Sequence, residues 1–331
     1  VVHTLLAIDP DQRFPDAPSL VDTLREGERS TWWRAQSTHG EDPRLAYGDT
    51  PFYGREAELE SLRSLYDDLT LAGGRVLLLE GEAGIGKSRL VAEWLHAIEA
   101  NVDDGPMALI VRHEPGAGVL AMPPLAQVLA DAVRRPDRRA RLEGYLGARA
   151  GLVDALERHL DGEEMEGEGT TLSPAARGTA YLDLLRGMAA ERPLVLVLED
   201  LHFGTEDARS LFLLLARGLA EDAILVAATA RPGVEGLWPE DLRDAPRATR
   251  LALAGLPEAA AHELMRASVG TEGTLGSGMR EFVQHADGNP FCLLEFAREL
   301  GTRRRASTAA LAIPSAIRGS TNRCTPGGSL R

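Results

Sequence analysis

From residue 51 onward, short apolar runs alternate with segments whose apolar positions recur at helical spacing. The runs Val76 to Glu80, Ala108 to Arg112, Leu194 to Leu198, Ile224 to Ala228 and Leu251 to Ala254 predict five strands. Strands separated by amphipathic helical segments pair in parallel, because a parallel partner is reached only through a long crossover. The expected fold class is therefore α/β, a parallel sheet flanked by helices. Helical patterns then dominate, and the expected division is a core at 51–250 and a small helical subdomain at 251–312.

The flanking segments read differently. Residues 1–26 give helix, turn, helix, with the turn at Asp9-Pro10-Asp11-Gln12-Arg13-Phe14-Pro15. Residues 27–50 mix Ser, Thr, Gly, Asp and Pro without sustained periodicity, as a linker does. Asp161 to Gly169 is acidic and glycine-rich, which suits a solvated surface loop better than a metal site. Residues 313–331 lose periodicity and are expected to be a disordered tail.

The strongest chemical signal lies between the first strand and the helical run Arg89 to Ile98. Gly81-Glu82-Ala83-Gly84-Ile85-Gly86-Lys87-Ser88 satisfies GxxxxGK[ST] in the strand-loop-helix context that gives the motif meaning. Gly81, Gly84 and Gly86 free the loop to wrap phosphate oxygens with inward N–H groups, and the following helix adds its N-terminal dipole. Lys87 is expected to supply a compact charge to the β- and γ-phosphates and Ser88 a hydroxyl to Mg²⁺. The expected cofactors are ATP and Mg²⁺ on a P-loop NTPase fold.

The strand Leu194 to Leu198 ends in Glu199-Asp200, which brings two carboxylates to the same edge of the sheet. By order along the strand Glu199 is assigned to the metal, with Asp200 a further metal ligand or the base that polarises water, and the reverse assignment stays open. Ile224 to Ala228 runs into Thr229-Ala230-Arg231, so either Thr229 or Arg231 is placed to sense the γ-phosphate, an ordinary strand-end salt bridge being the alternative. His202 follows closely and is expected near the γ-phosphate. His113, His262 and His285 lack ligand spacing and read as structural or exposed.

Composition narrows the function classes. The chain has 331 residues, 44% hydrophobic and 26% charged, which suits a folded protein of roughly two units. A net charge of −14 argues against direct gripping of nucleic acid, whose phosphates demand a basic face. No apolar run approaches the roughly 20 residues of a membrane span, and the expected location is cytoplasmic. Cys292 and Cys324 form no CxxC or Cys/His cluster. Among 36 basic residues the one lysine is Lys87, so a chain that otherwise uses arginine keeps an ammonium where phosphate geometry asks for a point charge.

Together these residues resemble the STAND branch of AAA-like ATPases, found in LuxR-type and related bacterial regulators and in kinase–ATPase fusions. The resemblance runs from about Pro51 to Arg318. It implies that Phe52-Tyr53-Gly54-Arg55-Glu56-Ala57-Glu58-Leu59, similar to the family's FVGRExEL, lies beside the adenine. Tyr53, Gly54 and Arg55, the loop residues 81–88, Arg89 and Pro290 are the implied nucleotide contacts. Lys87, Glu199, Asp200 and Arg231 are the implied catalytic set.

The family's DDLHWAD appears here as Glu199-Asp200-Leu201-His202-Phe203-Gly204-Thr205, with departures at 199 and 203–205 that bear on hydrolysis more than on binding. Its GxP motif appears as Gly288-Asn289-Pro290 and implies a lid contact. Ile313 to Arg318 resembles the start of a winged helix, and the short remainder implies that this domain and any output domain lie outside the sequence.

The first 26 residues resemble the end of the C-terminal lobe of Ser/Thr protein kinases, through Asp9, Pro10 and Arg13. Since no HRD, DFG or glycine-rich kinase loop precedes them, and residue 1 is Val, the expectation is a fragment of a kinase–ATPase fusion whose partners are its own further domains. The function expected is an ATP-binding and ATP-hydrolysing regulatory module. A non-hydrolysing nucleotide scaffold is the alternative.

Overall fold

The computed structural model describes Val21 and residues 52–100, 105–114, 124–134, 136–162, 172–219, 221–269 and 277–306. Residues 1–48 and 49–331 form separate units. Of the first, Val21 alone is described, and it is helical and exposed. The kinase-like turn, the linker, most of the acidic loop and the tail from 313 thus lie outside the described residues.

In the second unit, α1 (Glu56–Ala72) leads into β1 (Arg75–Gly81), the phosphate loop and α2 (Lys87–Ala100). Then come β2 (Met107–Arg112), α3 (Pro124–Ala132), α4 (Arg138–Leu146), a 3₁₀ stretch (Gly147–Leu152), α5 (Val153–Leu160) and α6 (Pro174–Glu191). After β3 (Leu194–Glu199) and a 3₁₀ turn (Leu201–Phe203) follow α7 (Glu206–Gly218), β4 (Ile224–Ala230), α8 (Glu240–Arg243) and β5 (Ala248–Leu253). The helices α9 (Glu258–Val269), α10 (Ser277–His285) and α11 (Pro290–Ala306) complete the chain.

All five strands are parallel, in the order β2-β3-β4-β1-β5. Because β4 lies between β1 and β3, the acidic strand end is one strand removed from the phosphate loop. The sheet is covered on both faces. Leu194, Leu196 and Leu198 pack in one cluster with α3 to α7, while Val195 and Val197 pack in another with Leu90, Val91 and Trp94 of α2. Successive side chains on a strand point to opposite faces, so fully apolar runs are what a doubly covered sheet requires. Helix starts follow local rules: Ser173 accepts from Ala176 N at 3.2 Å with Pro174 first in α6, and Thr205 accepts from Ala208 N at 3.2 Å with Glu206 and Asp207 in the first turn of α7.

One boundary differs from the sequence reading. The last strand begins at Ala248, three residues before Leu251, and crosses the expected domain limit at 250. It is the edge strand, paired with β1 from Val76↔Ala248 onward, so one side is open to solvent and Thr249 and Arg250 are accommodated. Arg250 Nε sits 2.5 Å from Glu80 Oε2 and ties this edge to β1.

Helices α9 to α11 bury a third cluster around Leu256, Ala261, Leu264, Met265, Val283 and Leu293. Phe282 and Phe296 stack at 3.8 Å beside it. This helical unit meets the sheet where two backbones cross: Leu256 N donates to Gly288 O at 2.8 Å. The crossing leaves no room for side chains, since a β-carbon on Gly255 or Gly288 would lie 2.1 Å from Asp287 O or 2.4 Å from Leu256 O. Gly288 also holds φ +68°, which favours glycine. Gly288→Ala is expected to destabilise α11 by about 2 kcal/mol or more, from strain and overpacking together. Hydrogen exchange should then speed up across 290–298 while the amides of α2 keep their protection.

Candidate functional site

The phosphate loop turns back on itself between β1 and α2. Gly84 and Gly86 hold φ of +76° and +99°, which glycine adopts without a Cβ clash. Lys87 is buried, and its Nζ donates to Gly81 O at 2.8 Å and Glu82 O at 3.0 Å. Burial pushes its pKa down, Asp200 pulls it back up and Arg231 pushes it further down. The sheet edge therefore brings Lys87, Asp200 and Arg231 into one electrostatic neighbourhood, as the sequence reading expected.

The two acids occupy unlike places. Glu199 shares the α2 face of β3 with Val195 and Val197, and its side chain is 3% exposed. Its Oε2 lies 2.8 Å from Arg112 Nε, across the strand pair in register. Oε1 is buried and has no hydrogen-bond partner among the described residues. A buried, unpaired carboxylate oxygen on the side of the phosphate-loop helix is a donor suited to a hard divalent cation, and Ser88 adds a hydroxyl from that helix. Asp200, by contrast, is 40% exposed at its side chain and has a left-handed backbone, φ 53°. Its N–H donates to the buried Thr229 Oγ1 at 2.9 Å. Thr229 thus holds the acid's backbone, which leaves Arg231, just past the end of β4, as the sensing candidate. The Arg231 guanidinium lies 5.4 Å from the centre of the Phe203 ring.

His202 follows in the 3₁₀ turn. Its ring lies 4.0 Å from the Phe203 ring, and neither ring nitrogen has a hydrogen-bond partner among the described residues. Burial pushes its pKa down, Asp200 pulls it up, and Arg231 and Lys87 lower it further.

Of the residues implied for nucleotide contact, several have structural partners. Arg55 is buried, with Nη1 donating to Glu58 Oε1 at 2.8 Å and Nη2 to Ala254 O at 2.5 Å and Ile85 O at 3.3 Å. It joins α1, the phosphate loop and the end of β5. Gly54 holds φ +69°, and a β-carbon there would lie 2.4 Å from Ala260 Cβ of α9. Tyr53 packs against the helical unit's core. Arg89 pairs with Glu93 at 2.5 Å and lies 5.8 Å from the Phe52 ring centre. Glu82, Ala83 and Gly84 are exposed at the loop tip, while Ile85 is buried.

Arg112 was not singled out from sequence, His113 was read as structural or exposed, and Asn289 entered only within the Gly-Asn-Pro motif. Arg112 holds Glu199. His113 Nδ1 is 3.0 Å from Glu199 O, with a pKa lowered chiefly by burial. Asn289 Nδ2 donates to Ala83 O at 3.0 Å, next to Phe291 N, which donates to Gly84 O at 3.2 Å. The Gly-Asn-Pro turn therefore touches the phosphate loop itself. A β-carbon on Gly84 would lie 2.7 Å from Phe291 Cβ, so this glycine is demanded by close approach as well as by φ. For Asn289 the residues alone gave a turn before a helix, and the resemblance implied a lid contact.

A cavity of about 460 Å³ opens on the other side of the acidic strand end, between His113, Tyr181, Phe203 and Leu211. Its lining includes no phosphate-loop residue. Among the described residues no three His, Cys, Asp or Glu side chains cluster as a metal site, and no helix is long and apolar enough to cross a membrane.

Comparison with known proteins agrees with this geometry. A family model described as AAA ATPase domain matches residues 51–227, just over half of the chain. An uncharacterised protein of Rhizobium meliloti (strain 1021) is 30% identical over 236 residues, which cover 67% of this chain and 22% of that protein. The chain thus spans about a fifth of that relative. Among solved structures, the Aeropyrum pernix ORC1 protein in complex with DNA superposes with a TM-score of 0.50 at 16% identity, covering 80% of this chain and 64% of that one. C. elegans PCH-2 aligns with a TM-score of 0.37 at 10% identity, covering 76% and 69%.

Proposed function

The chain belongs to the AAA ATPase domain family, and on that premise we propose that it is an ATP-binding and ATP-hydrolysing switch of the STAND kind, a regulatory module within a longer cytoplasmic signalling protein. One observation carries the switch reading: Asn289 and Phe291 of the helical unit bond directly to Ala83 and Gly84 of the phosphate loop. Any change in what the loop holds is felt by the lid at once.

The division of labour follows from the chain's own groups. The N–H groups of residues 83–88 cradle the phosphates, and Lys87 exchanges its two carbonyl partners for phosphate oxygens. Ser88 and the unpaired Oε1 of Glu199 are the groups that fit Mg²⁺, which when bound neutralises charge on the phosphates and polarises the terminal phosphoryl group. Asp200 polarises the attacking water, and Arg231 answers to the presence of the third phosphate. The kinase-like segment at 1–26 makes a kinase–ATPase fusion the proposed parent, with its further domains as partners. DNA, which the Aeropyrum structure contains, is left out because the net charge is −14.

A second reading, a non-hydrolysing scaffold, is favoured by the Arg112–Glu199 ion pair, which competes with a cation for the same carboxylate. The two are separated by measuring ATP and ADP affinities together with phosphate release. The switch reading expects steady release from the wild type, and Arg231→Ala is expected to bring ATP affinity down about tenfold, toward that of ADP, with ADP affinity unchanged. Tight ATP binding without release, or an Arg231 variant that still separates ATP from ADP, would defeat it.

A further inference from the structure

Resting on the hydrolytic reading above, we propose that His202 holds the attacking water against the terminal phosphoryl group. A ring nitrogen accepts one water O–H, and the other ring nitrogen donates to Asp200.

Three observations converge on this residue. Its side chain is only 10% exposed, yet neither ring nitrogen has a hydrogen-bond partner among the described residues, an arrangement that native interiors rarely leave without a purpose. It is next but one to Asp200, with Nδ1 3.9 Å from Oδ1, so a modest ring rotation closes a hydrogen bond and fixes the tautomer. Its ring shares an electrostatic neighbourhood with Lys87 and Arg231, the two cations assigned above to the phosphates, and its tilted contact with the Phe203 ring limits where it can turn.

The chemistry fits the group. A neutral imidazole offers one acceptor and one donor at fixed angles, which a carboxylate or guanidinium cannot do. With its N–H given to Asp200, His202 directs the remaining lone pair at a water proton and so aims the water's oxygen at phosphorus. In the step itself the water oxygen forms the new bond to the γ-phosphorus. The bond from that phosphorus to the β,γ-bridging oxygen breaks, its electron pair leaving with ADP, and the water's proton ends on inorganic phosphate. His202 gains and loses no proton overall. Its contribution is orientation, and misplacement of an attacking group by about 1 Å costs on the order of 10² in rate.

The test compares the wild type with His202→Ala and His202→Gln in the full chain. Readouts are kcat and KM for phosphate release, ADP affinity, melting temperature, and retention of ADP with aluminium fluoride and Mg²⁺, which mimics the phosphoryl group in flight. The expected result for His202→Ala is a loss of kcat of about 10²-fold. KM and ADP affinity should stay within about threefold, retention of the fluoride complex should fail, and melting should be no lower, because two unpaired buried nitrogens have gone. His202→Gln, which restores an acceptor, should recover part of both kcat and fluoride retention. Wild-type turnover or fluoride retention in His202→Ala would overturn the assignment and leave the hydrolytic reading standing. So would an equal loss in both variants accompanied by a lowered melting temperature, the signature of a packing role. A wild type that neither releases phosphate nor retains fluoride would overturn both.

Discussion

Replacing Lys87 with alanine is expected to weaken ATP-Mg²⁺ binding by at least about 10²-fold, roughly 3 kcal/mol, and replacing it with arginine to restore little of that affinity. Lys87 is buried beneath the loop, where Nζ makes 2.8 and 3.0 Å contacts to Gly81 O and Glu82 O. A planar guanidinium is larger and carries its donors in a rigid fork, so the same site excludes it. Titration calorimetry with ATP measures the effect. Because burial already disfavours the ammonium, the free alanine variant should melt no lower than the wild type. Near-normal affinity in the arginine variant would defeat the argument from shape.

The second large effect is expected at Asp200. Asp200→Asn should leave ATP affinity within a few fold of the wild type while phosphate release falls by about 10³-fold, within the range for loss of a general base. Asparagine is the informative substitution because residue 200 sits at φ 53°, where Asn and Asp are tolerated far better than other side chains, and because the backbone N–H bond to Thr229 survives. An alanine here would mix lost chemistry with backbone strain. Should the asparagine variant turn over as fast as the wild type, the base is another group, and the reverse assignment with Glu199 becomes the one to pursue.

What could be read from sequence had local causes. The phosphate loop was legible because its glycines, lysine and serine are contiguous and lie between a strand and a helix. The doubly covered sheet was legible because β1, β3 and β4 each hold an unbroken apolar run. The edge strand was located late, since Thr249 and Arg250 are polar for reasons that appear only once β5 has a single neighbour. Strand order was invisible, and with it the spacing that puts Thr229 between the acidic strand and the phosphate loop.

The pairings that matter most for chemistry were also out of reach. Arg112 and Glu199 are 87 positions apart and meet only through β2–β3 register, while Asn289 and Ala83 are 206 apart and meet only through the backbone crossing at Gly288. Arg55 was taken from resemblance as a nucleotide contact. Its donors to Glu58, Ile85 and Ala254 give it a different task, bracing three segments that have no proximity in sequence.

That brace has a mechanical consequence. One guanidinium fastens the phosphate loop at Ile85 and the root of the helical unit at Ala254, and Asn289 fastens the same loop to the turn that opens α11. The unit of α9 to α11 is thus tied to the loop at two places, once through Arg55 and once through Asn289. Coupling of this kind runs equally in both directions, so a ligand that shifts this unit by a given free energy must be repaid in nucleotide affinity by the same factor. On the switch reading proposed above, a partner acting on α11 would therefore be read out as nucleotide release or retention.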